Sequence, residues 1–285
     1  MKRFRHVGII AFDNKKGVES AIRQVLADSR FKACSFYFNR DIMALTVPGA
    51  QPLVQEAFLK KIDLLISFGG DGTFLSAARL VARGDIPLIG VNMGGLGFLT
   101  DVPADKVNTV LEAMLNGQYV TEKRRLFEVS LRREGKTLLS DLCLNDTAIK
   151  GERLCHLSLF QGQELISGYN ADGMIVATPT GSTAYSMAAG GPIVHPLLDC
   201  VILTPICSHS LTQKPVVSSI DKPILLRINE KKAVLMLSVD GKKNIPLKEG
   251  DEIRVARSRF QTTLLKPKGM TFFQMLRTKL NWGKG

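Results

Sequence analysis

Residues 62–83, IDLLISFGGDGTFLSAARLVAR, combine a buried strand, a glycine turn and a helix in one continuous stretch. An apolar run at 64–68 precedes the turn GGDGT at 69–73, and apolar residues with helical spacing follow it. Three glycines within four residues let the backbone adopt positive φ and let a ligand approach the main chain closely. The start of the new helix favours phosphate, because its first amide groups lack partners. The stretch therefore predicts a strand–turn–helix unit that binds phosphate.

Asp71, inside this turn, needs a separate explanation, because a carboxylate repels phosphate. It can bind a metal, or it can accept a proton from a hydroxyl that attacks phosphorus. An ordinary α/β connection is one alternative. A dinucleotide fingerprint is another, but only half of it is present: Gly70 and Gly72 fit, whereas Leu75 occupies the third glycine position.

The composition is that of a cytoplasmic protein with two domains. The chain has 285 residues, 45% of them hydrophobic, and no apolar run approaches the ~18 residues that span a membrane. Its five cysteines are odd in number and widely spaced, without a CxxC pair, which indicates reduced thiols. With four dispersed histidines and no HExxH motif, we expect no metal site built by the protein itself.

The net charge of +12 raises the possibility of a nucleic-acid partner. The basic residues are spread along the chain, only 7% of residues are aromatic, and no RNP, zinc-finger or recognition-helix pattern occurs. A basic surface also attracts nucleotides, which are polyanions. We therefore expect small nucleotides and no specific nucleic acid.

The hydrophobic period changes along the chain and predicts two domains. Strands and helices alternate through about residue 100, which predicts an α/β domain with a doubly wound, mostly parallel sheet at 1–122. Beyond it the period becomes two, which predicts a β-rich, sandwich-like domain at 123–266. The amphipathic segment 267–285 is expected to complete the first domain. Both glycine clusters before residue 100 fall at strand ends, where such sheets bind ligands.

A second turn of small residues, TPTGSTAYS at 178–186, interrupts the β-rich half. It follows a short apolar strand, precedes small helix formers, and offers hydroxyls that can donate to ribose or phosphate oxygens. A helix capped by Ser182 or Thr183 is the alternative, but a cap uses one hydroxyl, and five serine and threonine hydroxyls occur here. The chain has neither a GxSxG elbow nor a GxxxxGK loop, which argues against a serine hydrolase and a P-loop.

Taken together, these motifs resemble the bacterial NAD kinase family over nearly the whole chain. The matching segments are GGDGT at 69–73, GGLGFLTD at 94–101, Asn145-Asp146, Asp172-Gly173, TPTGSTAYS at 178–186 and GGPIVHP at 190–196. GGDG alone is shared with diacylglycerol and sphingosine-type lipid kinases and with 6-phosphofructokinases. The segment 178–186 is far more specific to NAD kinases.

The resemblance implies transfer of the ATP γ-phosphoryl group to the 2′-hydroxyl of the adenosine ribose of NAD, giving NADP. It assigns to Asp71 the role of proton acceptor for that hydroxyl, with a divalent cation, Mg²⁺, arriving with ATP. The family is usually oligomeric, so a homo-oligomer, dimer or tetramer, is expected. Polyphosphate as donor, NADH as acceptor and feedback by NADP(H) stay open.

The same resemblance assigns nucleotide contacts to residues of both predicted domains. They are Asp71, Gly72, Phe98, Asn145, Asp146, His156, Asn170, Asp172, Thr183, Ala184, Tyr185, Ser186, Met187, Ala188 and Lys242. Phe98 is expected near the adenine and Tyr185 against a ring, while Asp172 bonds a ligand amide or hydroxyl. Asp146 stands where the family commonly has Glu, and Lys242 where it often has Gln.

Two other functions remain open from the sequence. A lipid or sugar kinase with the same GGDGT turn has no need of the segment 178–186, and a lipid kinase needs an apolar surface that faces a membrane. A protein that senses NADP(H) without catalysis has no need of Asp71.

Overall fold

The computed structural model describes residues 4–12, 17–43, 48–94, 97–229 and 234–282, so Gly95 and Leu96 of GGLGFLTD lie outside the described residues. The chain divides into two units. Unit 1 combines residues 1–123 with 262–285, and unit 2 comprises residues 124–261. None of the helices in the described ranges is long and apolar enough to cross a membrane.

Unit 1 contains a parallel sheet with helices, as the alternating pattern predicts. Its strands are β1 (His6–Ile10), β2 (Ser35–Asn39), β3 (Ala50–Leu53), β4 (Leu64–Gly69), β5 (Leu88–Asn92) and β6 (Val102–Pro103). The order across the sheet is β3-β2-β1-β4-β5, and β6 adds to β5. The strand order reverses between β1 and β4, and sheets of this kind bind ligands at the carboxyl ends beside such a reversal. β4 ends there, at Gly69.

The helices of unit 1 pack apolar faces against this sheet. They are α1 (Val18–Ala27), α2 (Gln55–Lys61), α3 (Asp71–Ala82) and α4 (Val107–Leu115). All six residues of β4 are buried, which explains its continuous apolar run. In α3 the predicted face of Phe74, Ala78, Val81 and Ala82 is buried, so this helix is confirmed.

The end of the chain belongs to unit 1, where it forms one further helix, α6 (Phe272–Leu280). The sequence suggests an apolar face of Phe272, Phe273, Leu276 and Leu280. That choice is partly wrong, because Met275 and Leu276 are the buried residues while Phe273 is exposed. The inward face continues along 272, 275, 276 and 279 at helical spacing, and Lys279 interrupts its apolar pattern.

Unit 2 is β-rich, as predicted. Its elements are β7 (Tyr119–Arg133), β8 (Lys136–Cys143), β9 (Asp146–Gln161), β10 (Glu164–Ala177), α5 (Tyr185–Ala188), β11 (Cys200–Ile206), β12 (Val216–Ser219), β13 (Ile224–Ile228), β14 (Leu235–Val239), β15 (Lys242–Leu247) and β16 (Glu252–Pro267). The described residues of neighbouring strands β7–β8, β9–β10, β10–β11, β11–β12, β9–β13, β13–β16, β9–β14 and β14–β15 pair antiparallel. β7 and β16 begin or end in unit 1, where Leu264 of β16 pairs with Leu88 of β5. The fold is therefore an α/β domain plus a β-rich domain.

Two local features of unit 2 position polar side chains. The dipeptide Asp240-Gly241 predicts a hairpin turn from the sequence, and it joins β14 to β15 with φ of 49° and 69°, so that prediction is confirmed. The register between β9 and β10 shifts between Ala171 and Gly173, leaving Asp172 outside the regular pairing.

Candidate active site

Asp71 is the first residue of α3, and the main chain of a neighbouring loop holds its carboxylate. The Phe98 N–H donates to Oδ2 at 2.7 Å and the Leu99 N–H donates to Oδ1 at 3.1 Å. Its position in the first turn also suits a negative charge, because the positive end of the helix dipole lies there. The residue is half-buried, so the main chain of the loop holds the carboxylate while part of Asp71 stays accessible.

Gly97 allows this arrangement. A Cβ at position 97 would stand 2.3 Å from Oδ1 of Asp71 and 2.9 Å from the hydroxyl oxygen of Thr100. Both distances are shorter than a van der Waals contact, so any side chain at position 97 would displace the carboxylate. The glycine is therefore needed for space beside Asp71.

The glycines of the GGDGT turn divide into two kinds. A Cβ on Gly69 would collide with the Thr73 side chain at 2.3 Å, so the fold itself excludes a side chain there. A Cβ on Gly70 or on the exposed Gly72 would meet nothing within 4 Å. The main chain at 70–72 is thus open to a ligand, beside the half-buried ring of Phe98 that the Asp71 loop carries.

In unit 2, the backbone around Asn145 and Asp146 is organised by the carboxylate of Asp240. The N–H groups of Leu144, Asn145 and Asp146 donate to it, the shortest bond being 2.7 Å from Asn145. The Cys143 thiol donates to it as well, at 3.3 Å. Asp240 therefore fixes the turn that carries the predicted Asn-acid pair.

Both members of that pair are buried, and each has a polar side chain that the surrounding protein leaves in an unfavourable environment. The side-chain Oδ1 of Asn145 is buried and has no hydrogen-bond partner among the described residues. Burial first, and then the charge of Asp240, raise the pKa of Asp146 to about 7, while Lys150 opposes this shift. The pair thus offers an unfilled acceptor beside a carboxyl group that titrates near neutral pH.

The hydroxyls at 178–186 turn out to serve mainly the fold. The Thr178 hydroxyl donates to the Leu144 carbonyl at 2.5 Å, and both Thr178 and Ser182 are fully buried. The Ser182 hydroxyl accepts from the Val194 N–H at 3.0 Å. The interpretation of these hydroxyls as ligand donors is therefore wrong for both, since the backbone of unit 2 uses them.

Ser186 follows the same rule, since its side chain is fully buried and its hydroxyl shares a 2.9 Å hydrogen bond with Thr204. Thr183 is half-buried, and its hydroxyl donates to the Thr180 carbonyl at 3.3 Å. The small helix formers after 178 suggest a helix, and the structure has a 3₁₀ turn at Thr180–Thr183 that leads into the single turn of α5. Any ligand contact at Ser186 therefore uses its backbone.

Other residues of the segment 178–186, and the two that follow it, are accessible at the surface. Ala184, Tyr185 and Met187 are half-buried and Ala188 is exposed. The Lys150 ammonium lies 4.2 Å from the centre of the Tyr185 ring, a cation–π distance. Tyr185 thus presents a partly covered ring at the surface of unit 2.

The segment is held close to Asn145 by a glycine. A Cβ on Gly181 would lie 2.0 Å from the Asn145 carbonyl oxygen, and the Thr178 N–H donates to that same oxygen at 2.8 Å. The two motifs that the sequence separates by more than thirty residues are therefore directly packed on each other.

The remaining predicted residues lie on strands of unit 2. His156 and Asn170 pair across β9 and β10, and the His156 Nδ1 hydrogen-bonds the Asn170 side-chain oxygen; both residues are exposed. Asp172, half-buried, follows Asn170 at the register shift. Lys242 is exposed at the start of β15.

Comparison with protein families identifies the chain. The model described as the ATP-NAD kinase N-terminal domain matches residues 18–119, and that of the ATP-NAD kinase C-terminal domain matches residues 145–266. The chain belongs to the ATP-NAD kinase family.

Curated relatives of this ATP-NAD kinase family member cover most of its length. The NAD kinase of Geotalea daltonii is 38% identical over 260 residues, which are 84% of this chain and 91% of the relative. The NAD kinase of Solibacter usitatus is 35% identical over 287 residues, covering all of both chains.

Solved structures show the same fold. The yeast NADH kinase complexed with NADH superposes with a TM-score of 0.88 at 24% identity, covering 100% of this chain and 89% of that one. The NAD kinase from Archaeoglobus fulgidus in complex with ATP gives a TM-score of 0.67 at 24% identity, covering 98% and 96%.

Sequence reasoning missed four residues that shape the site of this ATP-NAD kinase family member. They are Gly97, Lys150, Gly181 and Asp240. The dipeptide Asp240-Gly241 indicates a hairpin turn, but no sequence pattern pairs the Asp240 carboxylate with the main chain at 144–146. Gly97 and Gly181 belong to the motifs at 94–101 and 178–186, and the sequence does not show which atoms lie beside them. Lys150 had no signal in the sequence beyond its charge.

Proposed function

We propose that this chain transfers the γ-phosphoryl group of ATP to the 2′-hydroxyl of the adenosine ribose of NAD, with Asp71 accepting the hydroxyl proton. One observation carries the assignment of Asp71. Its carboxylate is clamped by two main-chain N–H groups while the turn beside it is open at Gly70 and Gly72. Membership of the ATP-NAD kinase family supports ATP-dependent phosphorylation of NAD to NADP.

The chemistry requires positioning more than covalent help. A ribose hydroxyl is a poor nucleophile, and phosphoryl transfer depends on alignment and charge neutralisation. Each oxygen of Asp71 accepts one main-chain N–H and keeps a second lone pair. With that lone pair the carboxylate orients the attacking hydroxyl and takes its proton, while the open glycine backbone at Gly72 faces phosphate.

The β-rich residues 123–266 are proposed as the NAD-binding domain. The unpartnered Oδ1 of Asn145 is suited to accept from a ribose hydroxyl or a carboxamide, and Asp146 beside it is suited to hold a second hydroxyl. Tyr185 and Phe98 offer ring faces for the bases, and Asp172 offers an acceptor for an amide or hydroxyl.

The other proposed contacts with NAD involve main-chain groups or exposed side chains, whose position the structure fixes less closely than that of Asn145 and Asp146. They are the backbone of Thr183, Ala184, Ser186, Met187 and Ala188, and the exposed side chains of His156, Asn170 and Lys242. These side chains face solvent, so they are assigned to the outer parts of the ligand.

The proposal includes Mg²⁺ bound to ATP as part of the substrate, a cytoplasmic location, a homo-oligomer of two or four chains, and no specific nucleic-acid partner. The five cysteines are free thiols, which supports a reducing compartment. The edge strand β12 carries the exposed Val216 and Val217, which supports association with a second copy. The family match does not favour a lipid or sugar kinase or a non-catalytic NADP(H)-binding protein.

The deciding experiment is NADP formation by the purified full chain. The protein is incubated with ATP, Mg²⁺ and NAD, and NADP is detected with an NADP-specific dehydrogenase. Parallel reactions replace ATP by polyphosphate, or NAD by NADH, to define donor and acceptor. Well-folded protein that forms no NADP with any donor would refute the proposal.

The role of Asp71 is tested with a matched pair of Asp→Asn variants. Asp71→Asn should abolish most turnover while the affinity for NAD changes little, because the amide keeps the shape but cannot accept the proton. Asp85→Asn is the control, since Asp85 is outside the described site and its φ of 48° suits Asn equally well. If Asp71→Asn keeps most of the native turnover, another group accepts the proton.

A further inference from the structure

A cavity in unit 1 lies at the carboxyl end of β5, close to the loop that holds Asp71. Its volume is about 560 Å³. Among its lining residues are Asn92 and Gly94 at the end of β5, Thr100 and Asp101 after the loop, and Lys279 of α6. Carboxyl ends of parallel strands are the usual ligand position in such sheets, and the volume is in the range of small-molecule sites.

Lys279 is the unusual group in this cavity. It stands on the inward face of α6, where the pattern calls for an apolar residue, and its Nζ is buried with no hydrogen-bond partner among the described residues. The Nζ lies 5.8 Å from the centre of the Phe98 ring, and Phe98 donates its N–H to Asp71. A buried ammonium without hydrogen bonds is unfavourable unless something else binds it.

A different lysine forms ion pairs with the neighbouring carboxylates. Lys266, itself buried, lies 3.4 Å from Asp101 and 3.2 Å from Glu122. Burial lowers the pKa of Lys279; the charges of Asp101 and Asp71 oppose that shift, and Lys266 adds to it. Lys279 is thus a cation near Asp71 that lines the cavity and whose buried Nζ has no hydrogen-bond partner among the described residues.

We propose that Lys279 binds the terminal phosphates of the phosphoryl donor, within hydrogen-bond reach of the group that is transferred. The three N–H donors of an ammonium match phosphate oxygens, and a cation beside the transferring group neutralises charge that Asp71 would otherwise repel. The inference rests on the proposed function, because it takes the triphosphate of ATP as the anion. It adds a residue from the C-terminal helix to the loops that the motifs identify.

The test compares direct binding with catalysis in three variants. Lys279→Met removes the ammonium and keeps an unbranched apolar stem, Lys279→Arg keeps a cation, and Arg277→Met is the control, an equal charge loss at an exposed position of the same helix. MgATP affinity is measured by calorimetry without NAD, and KM values for ATP and NAD are measured separately. Melting temperatures establish that each variant is folded.

A charge-assisted hydrogen bond is worth enough that Lys279→Met should weaken MgATP binding by about 10- to 100-fold. The KM for NAD should stay close to native, Lys279→Arg should recover part of the loss, and Arg277→Met should bind ATP normally. If Lys279→Met is misfolded, Lys279→Ala is assayed with and without added ethylammonium, which should restore turnover in the truncated cavity. Equal affinity of native and Lys279→Met for MgATP, or equal losses for ATP and NAD, would overturn the proposal.

Failure of the proposed function gives a different result. In that case the native protein forms no NADP, and the calorimetric comparison of MgATP binding by native protein and Lys279→Met still decides the role of Lys279.

Discussion

Gly97→Ala is the sharpest test of how the site is built, because it adds one methyl group beside Asp71 and changes no polar atom. The new Cβ would stand 2.3 Å from Oδ1 of Asp71 and 2.9 Å from its Cγ. The Thr100 hydroxyl oxygen would also lie only 2.9 Å from the new Cβ, so the methyl group meets a second neighbour. The clash is therefore relieved mainly by movement of the carboxylate.

The size of the effect follows from this geometry. A carbon–oxygen contact usually measures at least about 3.3 Å, so the carboxylate oxygen should move by about 1 Å. Such a displacement also lengthens or breaks the bonds from the Phe98 and Leu99 N–H groups. A misplacement of this size in a reacting group lowers turnover by about 10²-fold, equivalent to about 2.7 kcal/mol in the activation free energy.

The assay is steady-state NADP formation at saturating MgATP, with kcat and KM for NAD determined for each variant. Gly168→Ala is the control, because Gly168 is exposed and a Cβ there would meet nothing within 4 Å. The double variant Gly97→Ala/Asp71→Asn separates direct from indirect effects. If Gly97 acts only through Asp71, the double variant should be no slower than Asp71→Asn alone.

Two results would refute this reasoning. The first is a folded Gly97→Ala protein with kcat within about threefold of native, since that is less than 1 kcal/mol and implies that the carboxylate need not be held by the loop. The second is a double variant that loses activity additively, which would mean that the methyl group affects something other than Asp71.

Three further predictions concern stability and the turn itself. The pKa of Asp146 is raised from 3.8 to about 7 in the folded protein, so between these pH values the folded state binds a proton that the unfolded chain has released. The free energy of unfolding should therefore fall as pH rises through this range, by up to about 1.4 kcal/mol per pH unit. Asp146→Asn should flatten that slope in denaturant titrations at several pH values, and an unchanged slope would contradict the assignment. Ser182→Ala should lower the free energy of unfolding by about 1–3 kcal/mol in urea titrations, because it leaves the buried Val194 N–H without an acceptor; no change would show that the hydroxyl is not structural. Gly72→Ala should keep or raise the melting temperature, since alanine stabilises a helix by up to about 1 kcal/mol relative to glycine, yet slow phosphoryl transfer; native turnover would remove the phosphate role of the turn.

The fold was largely predictable because its signals are local. The fully buried β4 appears as an uninterrupted apolar run, and α3 repeats its apolar residues at helical spacing. The Asp240-Gly241 turn is equally local, since it requires positive φ at two neighbouring residues. The apolar pattern does not give the inward face of α6 correctly, because the half-buried Lys279 lies on that face with its Nζ buried, and a charged residue breaks the pattern on which periodicity relies.

The candidate site was predictable as a set of motifs but not as an arrangement. The Asp240 carboxylate meets the Asn145 N–H across 95 residues of sequence, and no local period records a contact of that separation. Hydroxyl groups are ambiguous for a different reason. The sequence does not distinguish a serine whose hydroxyl hydrogen-bonds the protein backbone from one whose hydroxyl hydrogen-bonds a ligand. Burial in the structure distinguishes the two, as it does at Ser182.

The glycines of the site fall into two groups, according to whether a Cβ at that position would collide with atoms of the protein. At Gly69, Gly97 and Gly181 a methyl group would collide with atoms of the protein itself, so the fold alone accounts for glycine there. At Gly70 and Gly72 the protein leaves open space and does not impose positive φ. Gly70 is the N-cap of α3, a position that glycine commonly occupies, whereas Gly72 lies in the first turn of the helix, where glycine is less favourable than alanine. The glycine at position 72, beside a carboxylate that the main chain holds in place, is what the proposed function requires, because the proposed ligand would occupy the space that a side chain would fill.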